Sequence, residues 1–170
     1  DAQLLTGRRD EAWRYSDLRG VLRTIPEASP NAPRTQTAAP LGEVAADHEI
    51  TVINGRSETT TFRTKAGQRA TLRLRIVSRA DHTLHQGALT LDVEAGADLT
   101  LIETYEGDGL AYVSDYSLAV RLGEGARLER IVLMDEPSDA ISISRSEIDL
   151  KPGARLAQTV VASGARLQRH

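Results

Sequence analysis

The chain contains no cysteine. That excludes disulfides, zinc–thiolate sites, a cysteine nucleophile and cysteinyl ligation of a metal cluster, and it fits a reducing, cytoplasmic setting. Aromatic residues are only 4%, with one Trp, one Phe and four Tyr. The core must therefore be built from Leu, Ile, Val and Ala, and a groove lined by aromatic platforms is not expected. There is no run of about eighteen apolar residues, so no helix of membrane-spanning length is expected. No charged-then-apolar signal segment opens the chain. A net charge of −3 gives no sign of nucleic acid or an anionic membrane as partner. There is no G-x-S-x-G and no P-loop, and Gly123-Glu124-Gly125 lies between two expected strands, with no helix N-terminus to cradle a phosphate.

What the chain does have is a repeat. Gly67, Gly96, Gly125 and Gly153 each close a polar corner, at spacings of 29, 29 and 28 residues. Three residues after them stand Ala70, Leu99, Leu128 and Leu156. Three before the last three corners stand Val93, Leu122 and Leu150, and five before them Leu91, Val120 and Ile148. This alternation puts apolar side chains on one face of a strand and Asp92, Arg121 and Asp149 on the other.

Each period thus holds a strand leaving the corner, a looser middle (81–87, 106–115, 135–144) and a returning strand. Two strands in so short a repeat leave no room for a helix. The unit that fits is one coil of a parallel β-helix, or β-solenoid, with equivalent strands of successive coils paired in parallel. The competing reading is an antiparallel meander or jelly roll.

Three segments follow. Residues 1–23 are an N-terminal helical segment, with 8–22 as a short helix whose Trp13, Leu18, Val21 and Leu22 share a stripe. Residues 24–42 hold four of the six prolines and read as an extended, mobile linker. Residues 43–170 are the β-helix domain, expected to be incomplete: an opening cap and about three coils. In the cap, strand 48–53 ends at Asn54-Gly55, the strongest two-residue hairpin signal, and Thr59–Arg63 would be its return strand. The period stops soon after Gly153 with no cap to cover its edge. The chain is therefore expected to be a portion of a longer protein, or to self-associate or bind a partner there.

Candidates for chemistry are few. His82 and His85 lie three residues apart beside Asp81 but have no third ligand, so solvated loop histidines are expected. His48 is expected to face outward, and His170 is terminal. Asp92 and Asp149 share an offset with Arg121 between them, which reads as ionic pairing across rungs. Trp13 and Tyr15, beside Arg8, Arg9, Arg14 and Arg19, are read first as docking the helix on the β-helix and second as a partner anchor.

Several stretches resemble a known family. Glu11-Ala12-Trp13-Arg14-Tyr15-Ser16-Asp17 is similar to the E-x-W-[KR]-Y-[ST]-[DN] signature near the N-terminus of the SufD family, scaffold subunits of Suf iron–sulfur cluster assembly. Ile50-Thr51-Val52-Ile53-Asn54-Gly55-Arg56 resembles its apolar strand ending in Asn-Gly. Residues 93–103 resemble its first well-marked coil, Gly123-Glu124-Gly125-Ala126-Arg127-Leu128 its second, and Gly164-Ala165-Arg166-Leu167-Gln168-Arg169 its G-x-x-[LV]-x-R ending. The coil motifs are shared with the SufB family; the E-x-W-R-Y-S-D form favours SufD. A departure is the short stretch between Asn54-Gly55 and Gly67, where many members carry an insertion.

The resemblance implies a right-handed parallel β-helix flanked by helical ends, with no catalysis of its own. It implies a SufB-like paralogue and a SufC-like ATPase as partners, with the iron–sulfur cluster and ATP handled on those subunits and no cofactor in this chain. The family's cluster-associated histidine and SufC-docking helices belong to its later half. No residue here matches either, so no catalytic, cofactor-binding or metal residue is assigned. The alternative function is a β-solenoid carbohydrate-binding or carbohydrate-active surface protein.

Overall fold

The computed structural model describes residues 21–22, 24–30 and 44–170. Strands β1 (His48–Ile53), β2 (Thr61–Thr64), β3 (Arg69–Ser78), β4 (Leu84–Val93) and β5 (Asp98–Gly107) are followed by β6 (Val113–Leu122), β7 (Arg127–Glu136), β8 (Ile141–Leu150), β9 (Arg155–Gly164) and β10 (Leu167–Arg169). Odd strands form one five-stranded sheet in the order β1-β3-β5-β7-β9, and even strands the other, β10-β8-β6-β4-β2. Every pairing of these strands is parallel. That settles the architecture as a β-solenoid against the antiparallel meander.

The glycine period is the register. Ala70, Leu99, Leu128 and Leu156 stand opposite one another, as do Val93, Leu122 and Leu150. The corner glycines have φ of 66, 65, 67 and 74°, the left-handed region that glycine occupies without Cβ strain. Their amides stack the coils: Gly67 donates to the Ala95 carbonyl (3.1 Å), Gly96 to Glu124 (2.9 Å) and Gly125 to Pro152 (3.0 Å). At the opposite corner the equivalent conformation falls on His82 and Ala111 and, in the last coil, on Ala165, with φ of 54, 45 and 51°.

Two local expectations are corrected. The looser middles are shorter than read, because β4, β5, β6, β7 and β8 each run ten residues and extend into them. Asn54-Gly55 does turn the chain, with φ of 49 and 80° and reciprocal hydrogen bonds between Ile53 and Arg56. It does not make a hairpin: β1 pairs with β3 and β2 with β4, in different sheets. The turn signal is local, whereas the partner of each strand is set by burying its apolar face in the stack.

The interior is graded. Near the glycine corners it is aliphatic, with Leu72, Leu74, Leu91, Leu99 and Leu101 all fully buried. Toward the other corner it turns aromatic and polar: Tyr105, Tyr112 and Tyr116 are buried with Ser114, Ser142 and Glu136. Three of the four tyrosines thus serve the core, which is not the purely aliphatic core that scarcity of aromatics suggested.

The described part of the proline-rich stretch is held in place. Ala28 bridges in parallel to Leu84, with Leu84 donating to the Glu27 carbonyl (2.8 Å) and Ser29 to the Leu84 carbonyl (2.9 Å). Arg56 clamps it through Nη1 to Ser29 Oγ (3.0 Å) and the Pro30 carbonyl (2.8 Å), and through Nη2 to the Ser29 carbonyl (2.6 Å). Val21, Leu22 and Ile25 pack over Leu84, Val113 and Ile141 on the outer face of the even-strand sheet. Apart from Val21 and Leu22, the expected helix over 8–22 lies outside the described residues.

Candidate functional site

Alternation along β5 carries Leu99 and Leu101 inward and therefore Glu103 and Tyr105 as well; along β7 it carries Leu128, Arg130 and Val132 inward. Glu103 and Arg130 meet inside the solenoid, with side chains at 0% exposure. Arg130 donates from Nε to Glu103 Oε2 (2.8 Å) and from Nη2 to Oε1 (3.0 Å). Its Nη1 reaches Ser146 Oγ (2.8 Å) and Gln158 Oε1 (3.0 Å). Tyr105 completes the carboxylate shell by donating to Glu103 Oε1 at 2.6 Å. Burial, and then the Glu103 charge, hold the Tyr105 hydroxyl well above the usual phenol range. A buried ion pair is tolerated only with its remaining hydrogen-bonding groups met, and these are.

A second polar cluster sits at the corner opposite the glycines. The His85 ring stacks on Tyr112, centroids 5.3 Å apart. Its Nε2 lies 3.2 Å from the Ala80 carbonyl, which can only accept, and so Nε2 is assigned the proton. Burial, the dominant cause, lowers its pKa to about 4, so the ring is neutral near pH 7. Tyr112 donates to Glu136 Oε1 at 3.0 Å. Burial, the dominant cause, raises the Glu136 pKa, against the lowering effect of the Tyr112 hydrogen bond. In the last coil Ser144 Oγ contacts His170 Nδ1, and burial followed by the Arg130 charge lowers the His170 pKa.

His85 is thus a core histidine at 2% exposure rather than the solvated loop residue expected; of that pair, His82 alone is an exposed loop residue. β4 begins one residue before His85 and turns it inward. His48 also departs from expectation. It stands in the inward column of Leu72, Leu101 and Arg130 and meets Phe62 edge-on at 5.2 Å, its exposure coming from its place on the first rung.

The cross-rung ionic reading holds for Asp92, which is reached by Arg63 (3.4 Å) and Arg121 (3.3 Å); Asp149 instead pairs with Lys151 (3.0 Å), two residues along its own coil. Gly123 is part of a corner, donating to the Val93 carbonyl and accepting from Ala126. Trp13 and Tyr15 lie outside the described residues. Among the described residues no group of three His, Asp or Glu is placed to hold a metal ion.

Sequence reading missed Glu103 and Arg130 because charged residues were assigned to the outer face. The signal was present: both fall on the inward parity set by the leucines after their corner glycines, in successive coils and with opposite sign.

The last coil is uncovered among the described residues. β9 pairs only with β7, and β10 only with β8. Leu150 and Val160, which continue interior columns, are 49% and 41% exposed, and Val161 is 56% exposed. An edge strand with unpaired backbone groups and uncovered apolar side chains is a template for further β-pairing.

Fold and site together define a parallel β-solenoid with a polar, ion-paired interior. The family model described as SUF system FeS cluster assembly, SufBD core domain, matches residues 74–170, from the middle of β3 through β10, and the chain belongs to that family. No curated protein and no solved structure matches the chain. Among the described residues no helix is long and apolar enough to cross a membrane.

Proposed function

We propose that the chain is a SufD-type scaffold subunit of iron–sulfur cluster assembly, without catalytic activity, working with a SufB-like paralogue and a SufC-like ATPase in the cytoplasm. The observation that carries this reading is the parallel β-solenoid whose residues 74–170 match the SufBD core family model. The E-x-W-R-Y-S-D stretch at 11–17 favours the SufD over the SufB type. Scaffolding also suits the material: parallel rungs with an interlocked interior form a stiff support.

The test is reconstitution. The purified chain is expected to hydrolyse no ATP and to retain no iron, and to co-elute with a SufB-like subunit in size-exclusion chromatography. Stoichiometric iron after aerobic purification, or no co-elution with a SufB-like subunit, would sink the proposal.

A further inference from the structure

Two charge ladders flank the glycine corners, and they differ. On the even-strand sheet Arg63, Asp92, Arg121 and Asp149 stand in register, each charge opposite its complement. On the odd-strand sheet the register is Arg69, Asp98, Arg127, Arg155. Arg69 reaches Asp98 at 3.4 Å. The next two rungs are both arginine, exposed, and without an ion-pair partner among the described residues. Like charges directly opposite on neighbouring strands destabilise a sheet. Stacking coils therefore gives no reason for Arg155 to follow Arg127, least of all in a chain whose net charge is −3.

The same column borders a groove. A hollow of about 470 Å³ runs across three coils, lined by Gly67, Gly96, Gly125, Arg69, Asp98 and Arg127. Arg155 continues its basic edge by one rung. The shape is a trough open along its length and not an enclosed pocket. Neither Arg127 nor Arg155 is buried. Exposed guanidinium groups hold one small anion weakly, whereas several carboxylates on one extended chain add their contributions.

From this we infer that the corner groove of the odd-strand sheet is a docking surface for an extended acidic segment, rich in Asp and Glu, of a partner protein. Arg127 and Arg155 receive its carboxylates, and the Arg69–Asp98 pair closes the far end. The peptide test reads this groove without a SufB-like partner present, and either assignment can fail without the other.

The test uses the whole chain and a fluorescein-labelled oligo-glutamate peptide followed by anisotropy. The wild type is expected to bind, with affinity falling as salt rises. Arg127→Gln and Arg155→Gln are each expected to weaken binding roughly five-fold, about what one partly exposed ion pair contributes. Arg121→Gln, on the alternating ladder, is expected to bind as the wild type does. An oligo-glutamine peptide and inorganic phosphate are expected not to compete. No binding by the wild type, equal losses in Arg121→Gln, or unchanged binding by both groove variants would overturn the inference. Competition by phosphate at peptide-like concentration would overturn it in favour of a small-anion site. Circular dichroism of each variant separates loss of binding from loss of fold.

Discussion

Arg130 and Glu103 belong to successive coils and meet through two hydrogen bonds of 2.8 and 3.0 Å, inside the solenoid and away from water. The pair ties one coil to the next by charge, as Arg145 and Asp115 (2.7 Å) do elsewhere between the same two coils, where Tyr112 also donates a hydrogen bond to Glu136 (3.0 Å).

Arg130→Leu is expected to destabilise the protein by about 3–5 kcal/mol, because it leaves the Glu103 carboxylate buried without its cation. The double variant Glu103→Leu/Arg130→Leu is expected to recover most of that loss. Urea unfolding of both variants checks this, and additive losses would refute the coupling.

The pH dependence follows from His85. Its pKa is about 4 in the folded chain against 6.5 for the free side chain. Between those values the unfolded chain takes a proton that the folded chain refuses, so stability falls as pH drops from about 6.5 towards 4. The raised pKa of Glu136 acts the other way, because the native state binds its proton more readily. The lowered pKa of His170 acts in the same direction as His85. His85→Phe keeps a ring against Tyr112 and removes one titration. The stability of the wild type relative to this variant is expected to shrink across that window in urea titrations at a series of pH values. A constant difference would be evidence against a neutral, buried ring.

Two glycines in neighbouring corners are expected to respond differently to alanine. Gly96 has φ of 65° and nothing within 4 Å of an added Cβ, so Gly96→Ala should cost only the left-handed penalty, about 1 kcal/mol. An added Cβ at Gly123 would lie 2.6 Å from Ala95 N and 2.9 Å from the Glu94 carbonyl carbon. Gly123→Ala must therefore move the backbone of the preceding coil and should cost more, up to ~3 kcal/mol. Melting temperatures of the two variants test the order.

Arg56→Ala removes the guanidinium that holds the Ser29 and Pro30 carbonyls. The Leu84 amide, which donates to Glu27, is expected to exchange with deuterium markedly faster, while the amides of β6 are unaffected. Equal protection of Leu84 in both proteins would place the hold elsewhere.

The architecture was legible because glycine corners and apolar offsets recur together, and those offsets proved to be the register itself: Leu99 opposite Leu128 opposite Leu156. The interior was less so. Inward parity continues past Leu101 to Glu103 and past Leu128 to Arg130, yet a charged residue read alone suggests solvent. Only the opposite charge one coil away makes its burial affordable. His85 was misplaced because the strand start was set too late, and with it the face on which the ring lies. The Asn54-Gly55 turn was found, but a turn carries no information about which distant strand the chain will pair with in a parallel stack.

The Glu103–Arg130 pair also bears on how the chain reaches its fold during synthesis. Stacked coils can in principle be laid down one at a time from the first, each needing only its predecessor. Glu103 breaks that independence, because its coil cannot seal a carboxylate inside until Arg130 has emerged in the next. Until then the growing end stays hydrated and reversible. Arrival of the arginine commits both coils together, so the nascent solenoid advances past this point by two coils and not by one.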